Sequence, residues 1–121
     1  MGAKVLIADD EPNIVVSLSF MMKREGYEVL VARDGPQALA MILAERPDLV
    51  LLDAMMQGMT GFDVCEAVRA DASVRDTRIL MLTAKGRETD KARGFGAGAD
   101  AYMTKPFSTR DLVAKVREMI A

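Results

Sequence analysis

Short apolar runs rich in β-branched residues recur along the chain and predict five β-strands. The runs are KVLIA, EVLVA, LVLL, RILML and AYMT, at Lys4–Ala8, Glu28–Ala32, Leu49–Leu52, Arg78–Leu82 and Ala101–Thr104. The first, third and fourth are continuously apolar, which is typical of strands that are covered on both faces of a sheet.

The segments between these runs have helical periodicity, with apolar residues recurring on one face. Three such faces are Ile14, Val15, Leu18 and Met22; Leu39, Ile42 and Leu43; and Leu112, Val113, Val116 and Ile120. A fourth helix, roughly Arg87 to Phe95, has a thin apolar face and is crowded by glycines. Because each glycine costs about 1 kcal/mol relative to alanine in a helix, we expect this element to be the most mobile.

Local sequence signals support the predicted helix starts. Thr60 to Asp63 and Ser108 to Asp111 both resemble capping boxes, in which side chain and backbone bond reciprocally. Pro36 falls in the first turn of the second helix, where proline is favoured.

Strand and helix alternate through the whole chain, and this alternation predicts an α/β fold with a parallel sheet between two layers of helices. For a doubly wound sheet of five strands, we expect the order 2-1-3-4-5. A chain of 121 residues suits a single domain, here residues 1–121.

Polar residues follow four of the five strands. Asp9 and Asp10 come after the first strand, Asp53 after the third, Thr83 after the fourth and Lys105 after the fifth. Sites in open α/β sheets form beyond the carboxyl ends of the strands, at the switch point of strand order. In the order 2-1-3-4-5 the first and third strands are neighbours there, so the three acids should converge.

Each polar residue also has a simpler interpretation. Asp9 or Asp10 could cap the first helix, Thr83 could be satisfied by backbone, and Lys105 could be an ordinary surface lysine. Asp53 is harder to explain as a cap, because it lies seven positions before Thr60. Their joint placement favours a functional site.

Three carboxylates held together repel one another in a partly buried site, so cations must offset them. Lys105 supplies one positive charge, and a set of oxygen ligands favours Mg²⁺ as the second. A carboxylate beside Mg²⁺, a lysine and a threonine hydroxyl is equipped to act as a nucleophile in phosphoryl transfer. The sequence therefore predicts that Asp53 accepts a phosphoryl group.

Composition narrows the remaining possibilities. Lys and Arg number 16 against 18 Asp and Glu, for a net charge of −2, which argues against direct nucleic-acid binding. The single cysteine, Cys65, cannot form an internal disulfide, and this favours a cytoplasmic setting. No apolar run approaches the ~20 residues of a membrane span. The absence of histidine excludes histidine bases and histidine metal ligands.

Four segments, LIADDE, DLVLLDAMMQGMTGFD, MLTAKG and GADAYMTKPF, together closely resemble the receiver domain of bacterial two-component response regulators. The resemblance covers essentially the whole chain and implies a flavodoxin-like, three-layer fold with five helices. It also implies a signalling switch and no enzyme activity beyond the domain's own phosphorylation and dephosphorylation. Asp53 would accept its phosphoryl group from a sensor histidine kinase or a histidine phosphotransfer protein.

The resemblance also implies a magnesium site. Asp10 and Asp53 would be ligands, with Asp9 helping directly or through water. The backbone carbonyl of Met55 matches the remaining protein ligand of the family.

Further roles follow from the same resemblance. Thr83 matches the hydroxyl residue that moves onto the phosphoryl group, and Lys105 matches the lysine that contacts it. Tyr102 matches the switch aromatic that turns inward on activation; alternatively, it is an edge-strand tyrosine with an exposed hydroxyl. The bond between Lys105 and Pro106 is expected to be cis.

Several positions depart from the family pattern. Gln57 replaces a usual proline and Thr60 a common aspartate, which puts the stiffness of the loop carrying Met55 in doubt. Family members that dimerise through helix 4, strand 5 and helix 5 carry three cross-subunit charge pairs. Lys91 and Asp111 match one pair, but alanines stand where the other two acids would be. We therefore expect a weak homodimer through that face, or another partner.

Three other functions are open on the residues alone. A phosphatase with an aspartyl nucleophile would place a second acid two residues later, where this chain has Met55. A flavodoxin-like cofactor binder needs a phosphate-cradling loop after the first strand, but DDEPN is acidic. A receiver that works without phosphorylation would not need the complete set of polar residues.

Overall fold

A parallel five-stranded sheet forms the centre of the protein in a computed structural model, which describes residues 2–84, 93 and 95–121. The strands are β1 (Lys4–Ala8), β2 (Glu28–Ala32), β3 (Leu49–Asp53), β4 (Arg78–Ala84) and β5 (Ala101–Lys105). The helices are α1 (Pro12–Arg24), α2 (Gly35–Glu45), α3 (Gly61–Ala70) and the C-terminal helix (Thr109–Ile120). Most of the predicted fourth helix, at 87–92 and 94, lies outside the described residues.

The strand order is β2-β1-β3-β4-β5, and every neighbouring pair is parallel, as predicted. Helices α2 and α3 pack on one face of the sheet, and α1 and the C-terminal helix pack on the other. The predicted α/β fold with three layers is therefore confirmed. Within the described residues, no helix combines the length and hydropathy needed to cross a bilayer.

The central strands are buried on both faces, as their continuous apolar runs predict. In β3, Leu49 and Leu51 face the layer of α1, whereas Val50 and Leu52 face the layer of α2. All four are fully buried. Each such side chain contributes about 1.5–3 kcal/mol of burial, so β3 anchors both halves of the core.

The predicted helix faces agree with the structure except in α2. The buried residues of α1 are Val15, Leu18 and Met22, and those of the C-terminal helix are Leu112 and Val116. In α2, Ile42 is buried as predicted, but the prediction of Leu43 was wrong, because Leu43 is 39% exposed and Ala38 is buried in its place. Ala38 and Ile42 lie in the core on one side of the helix, and Leu43, about 100° further round the helix than Ile42, lies toward solvent.

The capping prediction for α3 is confirmed. The N–H of Asp63 donates to Thr60 Oγ1 at 3.2 Å, and the N–H of Thr60 donates to Asp63 Oδ2 at 3.1 Å. At the C-terminal helix, Ser108 Oγ accepts from the N–H of Asp111 at 3.0 Å, which is one half of the second predicted box. These caps fix the helix starts and therefore the loops that precede them.

Arg69, near the end of α3, fastens this helix to two loops. Its Nη1 donates to the carbonyls of Arg75 and Thr77, at 2.7 and 2.6 Å. Its Nε donates to the carbonyl of Gly98 at 2.8 Å, and its Nη2 pairs with Asp100 Oδ2 at 2.8 Å. The planar guanidinium thus ties together segments before β4 and before β5.

We expect Arg69→Ala to lower the free energy of unfolding by about 2–3 kcal/mol, because several partly buried acceptors lose a charged donor. Urea unfolding followed by circular dichroism measures this. Arg75→Ala is the matched control, since its exposed side chain should cost no more than about 0.5 kcal/mol. Equal losses in the two variants would contradict the role given to Arg69.

Candidate functional site

Three carboxylates meet at the carboxyl edge of the sheet. Asp9 and Asp10 follow β1, and Asp53 ends β3, which lies beside β1. One oxygen from each of the three lies within 4.8 Å of the others. The predicted convergence of these acids is confirmed, and the strand order is its cause.

Asp9 is the most buried of the three acids, at 1% exposure. Its Oδ1 accepts from the N–H of Glu11 at 2.9 Å, and its Oδ2 accepts from Lys105 Nζ at 3.0 Å. The expectation that Asp9 or Asp10 caps α1 was wrong, because Glu11 occupies the N-cap position and makes no side-chain cap bond. Asp9 instead holds the loop that precedes the helix, and Asp10 is exposed to solvent.

Lys105 ends the edge strand β5 and reaches across the sheet to the acids. Its Nζ lies 3.0 Å from Asp9 Oδ2 and 3.6 Å from Asp53 Oδ1, and its side chain is only 19% exposed. Burial alone would lower the pKa of Lys105, but the Asp53 and Asp9 carboxylates raise it above its ordinary value. Lys105 therefore stays positively charged at neutral pH and neutralises part of the cluster.

Asp53 ends a fully buried strand and is itself 7% exposed. Its Oδ1 accepts from the N–H of Met55 at 3.3 Å. Burial raises the pKa of Asp53 to about 6, and the Asp9 charge adds to this, while Lys105 and the Met55 N–H oppose it. The ionised form of Asp53 is thus disfavoured in the folded protein, and a further cation would stabilise it.

Thr83 and Tyr102 lie on the two strands beyond β3. Asp53 is paired with Leu82 across β3 and β4, so Thr83 lies one residue further toward the same edge, and it is 2% exposed. Tyr102 is half-buried on β5, and its ring centroid lies 6.3 Å from that of Phe95. The structure therefore brings Thr83 to the edge that carries the acids and places Tyr102 three residues before Lys105.

A glycine that sequence reasoning missed allows α3 to begin directly behind Asp53. A Cβ on Gly61 would lie 2.3 Å from the Asp53 carbonyl oxygen, which no side chain tolerates. The N–H of Gly61 donates to the Ala54 carbonyl at 2.9 Å. The available signal was a glycine directly after the predicted cap, Thr60.

The loop after β3 is fastened despite its departures from the family pattern. The carbonyl of Gln57 accepts from the N–H groups of Gly35 and Met59, at 3.1 and 3.0 Å. Thr60 caps α3, as described above. Backbone hydrogen bonds therefore hold this loop at the position where the family usually has proline.

The donor set fits a hard divalent cation. Asp9, Asp10 and Asp53 offer carboxylate oxygens, which Mg²⁺ prefers to nitrogen or sulfur. Asp10 is exposed, so the site opens to the water that Mg²⁺ retains. The bond between Lys105 and Pro106 is cis, as expected.

Comparison with protein families decides the classification. The model of the response regulator receiver domain matches residues 5–117. The chain belongs to this family. Receiver domains are regulatory phosphoacceptor domains that interact with histidine kinases or phosphotransfer proteins in phosphorylation-dependent signalling, and the family binds Mg²⁺ at an acidic site.

Solved structures agree with this assignment. A candidate response regulator from Chloroflexus aurantiacus is 35% identical, with a TM-score of 0.95 over 99% of this chain and 98% of that one. A chemotaxis response regulator of Vibrio cholerae is 36% identical, with a TM-score of 0.91 over 98% and 99% of the two chains. The receiver domain of a Pseudomonas aeruginosa sensor histidine kinase is 28% identical, with a TM-score of 0.92 over 99% and 98%. That structure has a magnesium ion coordinated in its active site cleft.

The raised pKa of Asp53 predicts a stability change. The charged form of Asp53 is disfavoured in the folded protein, so its penalty is fully present above about pH 6 and is relieved as the pH falls toward the ordinary value of 3.8. Without divalent cations, Asp53→Asn should raise the free energy of unfolding by about 1–2 kcal/mol at about pH 8. The gain should shrink toward about pH 4.

Urea titrations in a chelating buffer across this pH range measure the effect. Asp76→Asn is the control, because Asp76 is exposed and lies near the opposite edge of the sheet. A gain for Asp53→Asn that does not depend on pH would show that the ionisation of Asp53 is not its cause.

Proposed function

We propose that this chain, taken as one receiver domain over residues 1–121, is a phosphorylation-activated switch whose acceptor is Asp53. The observation that carries the proposal is a buried carboxylate at the end of β3, with two more acids within 4.8 Å and a lysine ammonium 3.6 Å away. The donor would be a sensor histidine kinase or a histidine phosphotransfer protein. Membership of the receiver family supports this assignment.

The acceptor step needs no histidine in this chain. An Asp53 oxygen attacks the phosphorus of the donor's phosphohistidine, the phosphorus–nitrogen bond breaks, and an acyl phosphate forms. The electron pair stays on the donor imidazole, which takes up a proton from solvent. Lys105 contacts the incoming phosphoryl oxygens, and its raised pKa keeps it charged for that task.

Carboxylates of Asp9, Asp10 and Asp53 and the backbone carbonyl of Met55 would hold Mg²⁺. When bound, the cation offsets the negative charge of the acids and of the transferring group. The same residues would serve the later hydrolysis, in which water attacks the phosphorus of the acyl phosphate and releases inorganic phosphate and the Asp53 carboxylate. The chain would thus catalyse its own phosphorylation and dephosphorylation.

The new group adds about −1.5 to −2 charges beside Asp53, on the scale of phosphomonoesters. The Thr83 hydroxyl and Lys105 would move toward it, because both lie at the same edge of the sheet. Tyr102 would then turn inward. The surface formed by the predicted fourth helix, β5 and the C-terminal helix would change and so control an output partner or domain.

We also infer that this chain dimerises weakly through that surface. Of the charge pairs used by dimerising relatives, Lys91 lies outside the described residues, and the positions of two acids hold Ala97 and Ala101. Their basic counterparts already have partners within the chain. Arg117 Nε donates to Glu25 Oε1 at 2.9 Å, and Lys115 lies 3.5 Å from Glu118.

Sedimentation of the phosphorylated chain tests this inference. We expect a monomer or a weak, concentration-dependent dimer, since exposed charge pairs are worth under about 1 kcal/mol each. A tight symmetric dimer through that surface would contradict it.

Incubation with a small acyl phosphate and Mg²⁺, followed by intact mass, tests the acceptor. We expect one labile phosphoryl adduct on the unmodified chain and none on Asp53→Asn or in the presence of a chelator. Asp48→Asn, which alters an acid near the opposite edge of the sheet, is the matched control and should be labelled normally. Turnover of phosphoesters without an adduct would favour a phosphatase instead.

Thr83→Ala should separate phosphorylation from switching. We expect its Asp53 to be labelled, while the change in the Tyr102 ring resonances on phosphorylation is lost or greatly reduced. Thr104→Ala is the control, because Thr104 is the exposed partner of Thr83 across β4 and β5. If Thr83→Ala shows the full Tyr102 response, Thr83 does not transmit the signal.

A further inference from the structure

Met55 differs from the other methionines of the described residues in its contact with solvent. The chain has ten methionines, and all of them except Met1 lie in the part that the structure describes. Met55 is 45% exposed and belongs to neither apolar cluster of the core. The others are buried in these clusters or pack against them: Met21, Met22, Met41, Met56, Met59, Met81, Met103 and Met119.

The backbone holds Met55 beside the Asp53 carboxylate. The N–H of Met55 donates to Asp53 Oδ1 at 3.3 Å. Its neighbours in the chain, Ala54 and Met56, are both buried, and the N–H of Ala54 donates to the Leu82 carbonyl at 2.8 Å. An exposed thioether is therefore carried on a firmly held stretch of chain, directly after the proposed acceptor.

The single cysteine does not compete with Met55 for oxidants. Thiolates react with peroxides more readily than thiols do. Cys65 is fully buried, and burial raises the pKa of its thiol to about 11. The thiol therefore stays protonated and enclosed at neutral pH. Among the described residues, the sulfur that a dissolved oxidant reaches first is the thioether of Met55.

We propose that Met55 is a reversible oxidation site through which peroxides modify the acidic site. The Met55 sulfur attacks one oxygen of a hydroperoxide, so that a sulfur–oxygen bond forms and the oxygen–oxygen bond breaks. The second oxygen leaves as water or an alcohol with the proton of the hydroperoxide. The sulfur loses two electrons and the peroxide gains them. In the reverse step, a methionine sulfoxide reductase oxidises two thiols to a disulfide, and the oxygen leaves as water.

The added oxygen changes the electrostatics of the acidic site. A thioether is a weak hydrogen-bond acceptor, whereas a sulfoxide is polar and has a partial negative charge on its oxygen. The carboxylates of Asp9, Asp10 and Asp53 already lie within 4.8 Å of one another, so a further negative dipole beside them favours a cation. The sulfoxide oxygen also accepts a hydrogen bond from water that Mg²⁺ retains, so oxidation strengthens Mg²⁺ binding. This second step rests on the magnesium site of the proposed function, but the oxidation itself does not.

A soft-metal site is the alternative use of the methionines in this loop. Met55, Met56 and Met59 lie close together in the sequence, and thioethers are ligands for soft cations such as Cu(I). However, Met56 is buried and Met59 packs against the core, so these two side chains are committed to packing. Oxidation needs only one exposed sulfur, which Met55 supplies.

Limited oxidation of the full chain locates the site. Hydrogen peroxide is added in a chelating buffer, the reaction is stopped at intervals with free methionine, and peptide mass spectrometry follows each residue. We expect the sulfoxide of Met55 to form at least about fivefold faster than that of any core methionine, because susceptibility follows exposure. A sulfoxide reductase with a thiol should restore the thioether. Oxidation of any core methionine as fast as Met55 would overturn the assignment.

Calorimetric titration with Mg²⁺, before and after selective oxidation, tests the second step. We expect the Mg²⁺ dissociation constant to fall about three- to tenfold, which is the value of one added hydrogen bond. In Met55→Leu, the same peroxide treatment should leave the dissociation constant at its value before treatment. Met59→Leu, which changes a half-buried methionine of the same loop, is the matched control and should respond to peroxide as the unmodified chain does.

The outcomes separate this inference from the proposed function. A dissociation constant that peroxide leaves unchanged or raises, or a fall that persists in Met55→Leu, would overturn the second step while labelling of Asp53 by acyl phosphate stays intact. If the unmodified chain binds no Mg²⁺, the second step fails together with the proposed magnesium site. The oxidation map of the methionines decides the first step in either case, because it is measured without Mg²⁺ or a phosphoryl donor.

Discussion

The balance of charge around Lys105 is the constraint on which the site depends. Strand order alone brings Asp9, Asp10 and Asp53 together, and three acids at that distance would repel one another in a buried setting. Lys105 reaches both Asp9 and Asp53 and offsets part of this repulsion. Burial of Asp53, together with the Asp9 charge, outweighs Lys105 and raises the pKa of Asp53 to about 6. The fold thus keeps an unfavourable charge distribution that a divalent cation would improve.

Much of this arrangement could be predicted from the sequence. Short apolar runs rich in β-branched residues predict the strands, and two of the predicted strands, Lys4–Ala8 and Glu28–Ala32, agree with the structure at both ends. The convergence of the acids follows from topology, since parallel strands in the order 2-1-3-4-5 place the ends of β1 and β3 side by side. Neither inference needs side-chain coordinates.

Other features depend on distances that a sequence does not contain. In α2, Ala38 is buried and Leu43 is exposed, so packing against the sheet, and not side-chain hydropathy alone, decides the buried face. Asp9 or Asp10 could have capped α1, but the Asp9 carboxylate lies where Lys105 and the N–H of Glu11 can both reach it. The four hydrogen bonds of Arg69 join segments that are separated along the chain, so no local sequence pattern predicts them.

Lys105 also has a mechanical consequence. It ends β5, a strand with a neighbour on one side only, yet its ammonium bonds to an acid that follows β1, three positions away in the sheet. The Lys105 side chain therefore links the edge strand β5 to the buried ends of β1 and β3. Because β5 has a neighbouring strand on one side only, a movement of that ammonium would act on an edge strand of the sheet and not on its buried centre.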